Sequence, residues 1–446
     1  MDSVSLLHLI QENRISLMDL FEYKSAINEK LFNNNDYIGF MRSNFGFVSK
    51  IAFNFENEFN FAQQSYIGDL LCKLIINDST WISDNTDIID NMEKCLNKAE
   101  ENRYLICFAS KILYSFAQSK ENDCLIIISE KRELFLNIIA HLHIPCVYSY
   151  IEQIISSRDY FVSSFLENVD AGSYLFQAFE IKPELYFVDL LVKLCNMAQR
   201  DSYTLSDLAD QNKLKLLLFT AKNAQSNLLL ARNIYSLFIA LYNQIDLDYS
   251  DYDLIDSEFY QFLTHSYEDF INELTNSDSY GIHKPVLTDL IILVSQLFPH
   301  SQEGIITIFS YLIRIFFMYP FCSILHNSCC YVLKVILKKG ISISEAFSGF
   351  PIQEKIVEVM ELRNNMVATY WGHVYSMIDT ILGSEMTLSD TFLKMVDSIY
   401  EPIKSVLAKD YGGRILKEKL EKHEMFEIEE ETYEIPSIED IIVKYN

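Results

Sequence analysis

The chain has 446 residues, half of them hydrophobic, with 36 basic and 62 acidic residues and a net charge of −26. That sign disfavours generic nucleic-acid binding, which needs cations against phosphates, and an anionic membrane surface would repel the chain as well. At about 150 residues per domain the length allows three domains, but a helical repeat array absorbs the same length in one body.

Only 12 Gly and 8 Pro punctuate the chain, which favours helices joined by short connections. Residues 4–12 and 16–33 read as helices, with Ser16 as an N-cap. A polar break, Asn33–Asp36, leads into a mixed aromatic and apolar stretch, Tyr37–Phe53. From about residue 60 the pattern is regular. Ile67, Leu70, Leu71 and Leu74 make one stripe of an amphipathic helix, and Leu105, Phe108, Ile112 and Phe116 make another within Glu100–Gln118. Pro183 is expected in the first turn of a helix striped by Phe187, Leu190, Leu191, Leu194 and Ala198. Further helices are expected over Leu205–Ala221, Asn227–Ile245, Ser257–Leu274, Pro285–Phe298, Glu303–Met318, Cys322–Lys338, Gln353–Leu382 and Leu388–Lys409.

The rhythm of helix, short joint and next helix predicts an all-α fold, a HEAT- or armadillo-like α-solenoid over residues 1–423, although no strict sequence repeat is visible. Two segments stand apart. Asp246–Glu258 is dense in Asp and Tyr and reads as a surface loop. Glu424–Asn446 reads as an acidic, partly disordered tail, dispensable for folding, whose Ile435-Pro436-Ser437-Ile438 could dock a partner.

The most apolar stretch runs from Phe316 to Gly340. Arg314 precedes it, and Pro320 and His326 interrupt it, so no uncharged run reaches the roughly 20 residues of a membrane span. Two helices broken at Pro320 are expected instead. The N-terminus lacks a basic region followed by a signal-peptide core, and the nine cysteines sit mostly within apolar runs without zinc spacing. Reduced core thiols in a soluble protein of the cytoplasm, with the nucleus as a second compartment, are the expectation.

The search for chemistry returns little. A calcium loop beginning at Asp246 needs Gly in the sixth place and Glu in the twelfth, and finds Asp251 and Ser257. His141 and His143 stand two apart, so on a helix they face different sides, and no carboxylate lies nearby in sequence. Phosphate-binding, dinucleotide-binding, nucleophile-elbow and zinc-protease motifs are missing. No catalytic residue, metal or cofactor is expected.

Four stretches carry a resemblance. The first is Leu17-Met18-Asp19-Leu20-Phe21-Glu22 through Phe40-Met41, with Leu17, Leu20, Glu29, Asn34 and Phe40 in matching places. The second is Phe108-Ala109-Ser110-Lys111 followed by His141-Leu142, and the third is Phe316-Phe317-Met318-Tyr319-Pro320-Phe321-Cys322-Ser323-Ile324-Leu325-His326. The fourth is Tyr370-Trp371-Gly372-His373. In their order they resemble the SAPS-domain family, the regulatory subunits of protein-phosphatase-6-type phosphatases, and make the chain similar to a divergent, minimal member. Cys322 and Ser323 replace the paired asparagines of that family, and Phe321 replaces its tryptophan.

The resemblance implies a non-catalytic subunit that binds a serine/threonine protein phosphatase catalytic subunit and directs it to substrates. It points to Glu29, Asn34, Tyr319, Phe321, His326, Tyr370, Gly372 and His373 as partner-binding residues. The residues themselves leave a second role open: a Tyr or His in a solenoid helix can bond a neighbouring carbonyl, Glu29 and Asn34 can cap helices, and Gly372 can admit a close helix crossing. The rival reading is an α-solenoid adaptor of another class, such as a nuclear-transport or vesicle-coat scaffold.

Overall fold

A computed structural model describes residues 3–20, 31, 34–53, 61–77, 87–97, 103–119, 123–198, 203–224, 226–245, 258–297 and 301–407. Glu29, the Asp/Tyr-rich stretch 246–257 and the acidic tail 424–446 lie outside them. The chain divides into two units, Met1–Ala346 and Phe347–Asn446. No strand occurs among the described residues, and none of their helices is long and apolar enough to cross a membrane.

In the first unit the helices are, in chain order, α1 (Ser3–Gln11), α2 (Leu17–Leu20), α3 (Asn35–Ser43), α4 (Phe45–Phe53), α5 (Phe61–Asn77), α6 (Asp87–Asn97) and α7 (Arg103–Ala117). Next come α8 (Asp123–Ser129), α9 (Arg132–Ile139), α10 (Pro145–Ile155), α11 (Tyr160–Asn168), α12 (Ala171–Ile181), α13 (Leu185–Met197) and α14 (Tyr203–Leu208). The unit continues with α15 (Gln211–Asn223), α16 (Leu228–Ile245), α17 (Glu258–His265), α18 (Tyr267–Thr275), α19 (Lys284–Val294), α20 (Gln302–Phe316), α21 (Ser323–Lys338) and α22 (Ile343–Ala346).

These helices pack in two layers. In one, α5, α7, α10, α13, α16, α19 and α21 each touch the next in series. Their first residues step by 42, 42, 40, 43, 56 and 39 positions, so the fold repeats about every 42 residues. The long step contains 246–257. In the other layer α4 meets α6, α6 meets α9, α9 meets α12, and α12 meets α14; further along α15 meets α17 and α18 meets α20. Sequential pairs such as α4–α5, α6–α7, α12–α13 and α20–α21 join the layers. This is the helix-pair stacking of a solenoid, and the HEAT/armadillo length falls in the same range of about 40–47 residues per repeat.

Side-chain clasps follow the same step. Lys111 on α7 pairs with Asp69 on α5, 42 residues earlier. Lys131, just before α9, reaches Asp90 on α6 at 2.7 Å, a separation of 41. Lys193 on α13 reaches Glu152 on α10 at 2.5 Å, also 41 residues back, and its own-turn partner Asp189 at 2.6 Å. Tyr148 donates its hydroxyl to Asp189 across the same interface.

Local caps explain where the helices stop, and several expected long helices are divided. Asn44 closes α3, its side-chain amide donating to the Phe40 carbonyl at 2.8 Å, and so splits the Tyr37–Phe53 stretch. Asp210 splits Leu205–Ala221 by accepting from the Asn212 and Lys213 amides at 2.9 and 3.1 Å at the start of α15. Ser266 separates α17 from α18. Pro183 lies outside α13, whose N-cap is Glu184. The break at Pro320 stands as expected, between Phe316 and Ser323.

The cysteines differ from expectation. Cys107 and Cys146 form a disulfide between α7 and α10, with Cα atoms 5.8 Å apart. They are 39 residues apart, close to one repeat, so adjacent helices of the series bring them face to face. Cys72, Cys95, Cys195 and Cys329 are buried thiols, as core packing predicts.

The second unit contains α23 (Ile352–Glu361), a 3-10 turn Arg363–Asn365, α24 (Trp371–Leu382), α25 (Asp390–Met395), a π-helical turn Val396–Tyr400 and α26 (Glu401–Leu407). The single helix expected over Gln353–Leu382 is two. The backbone leaves the helical region at Met366 (φ −123, ψ 126), where Val367 and Thr369 are weak helix formers. Gln353 holds the unit together by donating to the Thr387 carbonyl and accepting from the Ser389 amide, each at 2.8 Å.

Close helix approach is tested at Gly304 on α20. A Cβ there would lie 2.5 Å from the Tyr267 hydroxyl and 2.9 Å from Ile271 Cδ1 on α18. Overpacking of this kind costs about 1–3 kcal/mol. Gly304→Val is expected to lower stability by that amount in urea unfolding; an unchanged midpoint would show that α18 and α20 are not in contact.

Candidate partner-binding surfaces

The corner between α20 and α21 carries the third motif. Burial continues to Phe316 and then stops, because Pro320 cannot donate to a helical carbonyl and the chain turns. The turn is tied to the connector before α19. Arg314 Nη2 lies 2.7 Å from Asp278 Oδ1, and the Tyr319 hydroxyl donates to the Asp278 carbonyl at 3.0 Å. His326 is fully buried, its ring centroid 4.5 Å from that of Phe316, so it fastens α21 to α20. Tyr319 and His326 therefore build the corner.

What the corner shows to solvent is apolar. Phe321 is 65% exposed, Met318 56% and Ile324 58%. Sequence reasoning named Phe321 and missed the other two. The signal was available on α21: Leu325, Cys329, Val332 and Ile336 form the buried stripe, and Ile324 and Tyr331, seven residues apart, fall outside it.

The fourth motif, in the second unit, is again mixed. Tyr370 is fully buried, at the N-cap of α24, with its hydroxyl 3.4 Å from Met366 Sδ and its ring against Trp371 at 5.1 Å. His373 is half-buried, and that burial pushes its pKa down. Gly372 is exposed, and a Cβ built on it meets nothing within 4 Å. It makes no close helix crossing, contrary to one of the two roles open to it.

The described candidates of the other two motifs serve the fold. Asn34 caps α3, its Oδ1 accepting from the Asp36 and Tyr37 amides at 2.9 and 3.2 Å. Phe108 is buried, edge-on to Phe53 at 5.3 Å and pressed against Gly68. Leu142 is buried, while His141 and His143 face each other at 5.9 Å between ring centroids. Burial and the neighbouring His143 push the His141 pKa down. No cluster of three or more His, Cys, Asp or Glu side chains suited to a metal ion occurs among the described residues.

The sequence-derived candidates thus separate into builders (Asn34, Tyr319, His326, Tyr370) and residues open to solvent (Phe321 and Gly372, with His373 partly so). At the first-unit corner a motif residue, Phe321, stands among further exposed apolar side chains, Met318 and Ile324. No known protein-family model and no curated protein matches the chain.

Gly372 gives a direct check on this division. In the first turn of α24, with open space around it, Gly372→Ala is expected to raise stability by about 0.5–1 kcal/mol through reduced backbone freedom in the unfolded chain. A loss of stability in thermal or urea unfolding would place a packed neighbour at Gly372.

Proposed function

We propose that this chain is a non-catalytic regulatory subunit that binds a protein-phosphatase-6-type serine/threonine phosphatase catalytic subunit and directs it to substrates, acting in the cytoplasm and nucleus. One observation carries the reading: four stretches resembling the SAPS-domain family occur in family order between residues 17 and 373. A stack of helix pairs supports it, because serial repeats expose an extended surface able to hold a globular partner. Within that surface, Met318, Phe321 and Ile324 offer the exposed apolar contact that interface cores use.

Affinity purification of the chain from its native cells tests the proposal. A phosphatase catalytic subunit is expected at near-equal amount. Phe321→Glu with Ile324→Glu should reduce its recovery about tenfold or more, the loss of one interface anchor worth about 1.4 kcal/mol or above. Both side chains face solvent, so the melting temperature should stay unchanged. Recovery of import cargo or coat subunits without a phosphatase would overturn the proposal and favour the adaptor reading.

A further inference from the structure

The bond between Cys107 and Cys146 stands apart from the buried thiols of the first unit. Burial pushes the thiol of Cys72 up to about 11 and that of Cys195 up to about 12. Thiols of that kind stay protonated and out of reach, which makes them inert. Cys107 and Cys146 are both partly exposed, so their bond lies near the surface and not in the core.

The two sulfurs belong to different parts of their helices. Cys107 is the fifth residue of α7, inside the helical hydrogen-bond ladder. Cys146 is the second residue of α10, directly after Pro145. At a helix start the first amides have no carbonyl of their own helix to meet. The N-cap of α10, Ile144, makes no side-chain hydrogen bond, and the first turn holds no acidic residue. The partial positive charge of that end therefore remains to favour a thiolate at Cys146.

The α7–α10 interface has other means of support. Tyr114 on α7 packs on Tyr150 of α10, with ring centroids 5.6 Å apart. The outer side of each helix is tied as well, α7 to α5 by Lys111–Asp69 and α10 to α13 by Lys193–Glu152. A chain with a core of this size does not need the covalent staples of small secreted domains. Both the bonded and the open form can therefore keep the fold. What differs is the joint between two adjacent repeats and the ring of chain it closes, which carries α8 and α9.

We propose that Cys107–Cys146 is a reversible redox latch between adjacent repeats, worked by a low-molecular-weight thiol/disulfide couple of the glutathione class. In opening, a glutathione thiolate attacks Cys107 Sγ, the protein S–S bond breaks, and its electron pair leaves on Cys146 Sγ. A second glutathione thiolate then attacks the glutathione sulfur of the mixed disulfide and releases Cys107. One protein disulfide and two glutathione thiols become two protein thiols and one glutathione disulfide; closing runs the same steps backwards. The latch rests on the geometry of the first unit and is independent of the identity of any protein partner.

The full chain, equilibrated in glutathione buffers, quenched in acid, alkylated and mapped by peptide mass spectrometry, tests this. The linked Cys107–Cys146 peptides are expected in excess glutathione disulfide, separately alkylated peptides at about 10 mM reduced glutathione, and the linked form again on return. A bond that persists in the folded chain under the reducing buffer would overturn the proposal. So would a pair that stays unlinked, or a lasting glutathione adduct on either cysteine, under the oxidising one. The leaving group is checked with single variants: at pH 7 iodoacetamide should modify Cys146 in Cys107→Ser about threefold faster than Cys107 in Cys146→Ser, and the opposite order would refute its assignment. Opening the bond in the unaltered chain should raise hydrogen exchange in α7 and α10 several-fold while leaving α19 and α21 unchanged. Equal exchange in the two forms would show that the bond is no latch.

Discussion

No helix of the main layer can bury its apolar faces by itself; each depends on the helix one repeat away. On α13, Leu190, Leu191 and Leu194 are buried between neighbours whose residues lie some 40 positions earlier or later in the chain. The hydrophobic term is proportional to area removed from water and has no direction, so by itself it would let adjacent helices slide. The clasps at Asp69–Lys111, Asp90–Lys131 and Glu152–Lys193 have direction. They lie at half-exposed positions, where an ion pair contributes at most about 1 kcal/mol, so their effect is on register more than on stability.

Much of the fold was legible because helix signals are local. The apolar stripes at 67–74, 105–116 and 187–194, and the break at Pro320, each depend on residues within one or two turns. The 42-residue period was not legible as a repeat of residue types, because packing against a neighbour asks only for apolar volume, and Leu, Ile, Phe, Val and Cys all supply it. What does recur is a carboxylate followed 41 or 42 residues later by lysine, three times between Asp69 and Lys193. The same spacing accounts for Cys107 and Cys146, whose pairing depends on tertiary register and not on local pattern. The divided helices at Asp210 and Ser266 escaped notice because a single residue interrupts an apolar pattern that otherwise continues.

The sequence drew attention to the corner between α20 and α21 but did not show which of its side chains face solvent. Tyr319, His326 and Tyr370 drew attention as polar-tipped aromatics, and the fold uses all three as internal ties: Tyr319 to the Asp278 carbonyl, His326 against Phe316, Tyr370 beside Met366. The side chains left facing solvent at the corner are ordinary apolar ones, Met318, Phe321 and Ile324, which composition alone cannot tell from core. Their exposure follows from the chain turning at Pro320 before α21 establishes its buried stripe one residue further round.

The central claim, that each repeat is held by its immediate neighbours, is tested most directly by hydrogen–deuterium exchange on Leu190→Ala, which opens a cavity in the middle of α13. A buried Leu→Ala change costs about 2–5 kcal/mol. If stability is a sum of neighbour terms, protection should fall in α13 and in α10, α12 and α16, which touch it, and remain near its original level in α5 and α21. Uniform loss of protection from α5 through α21 would contradict the account, showing that the first unit is held by a single cooperative core.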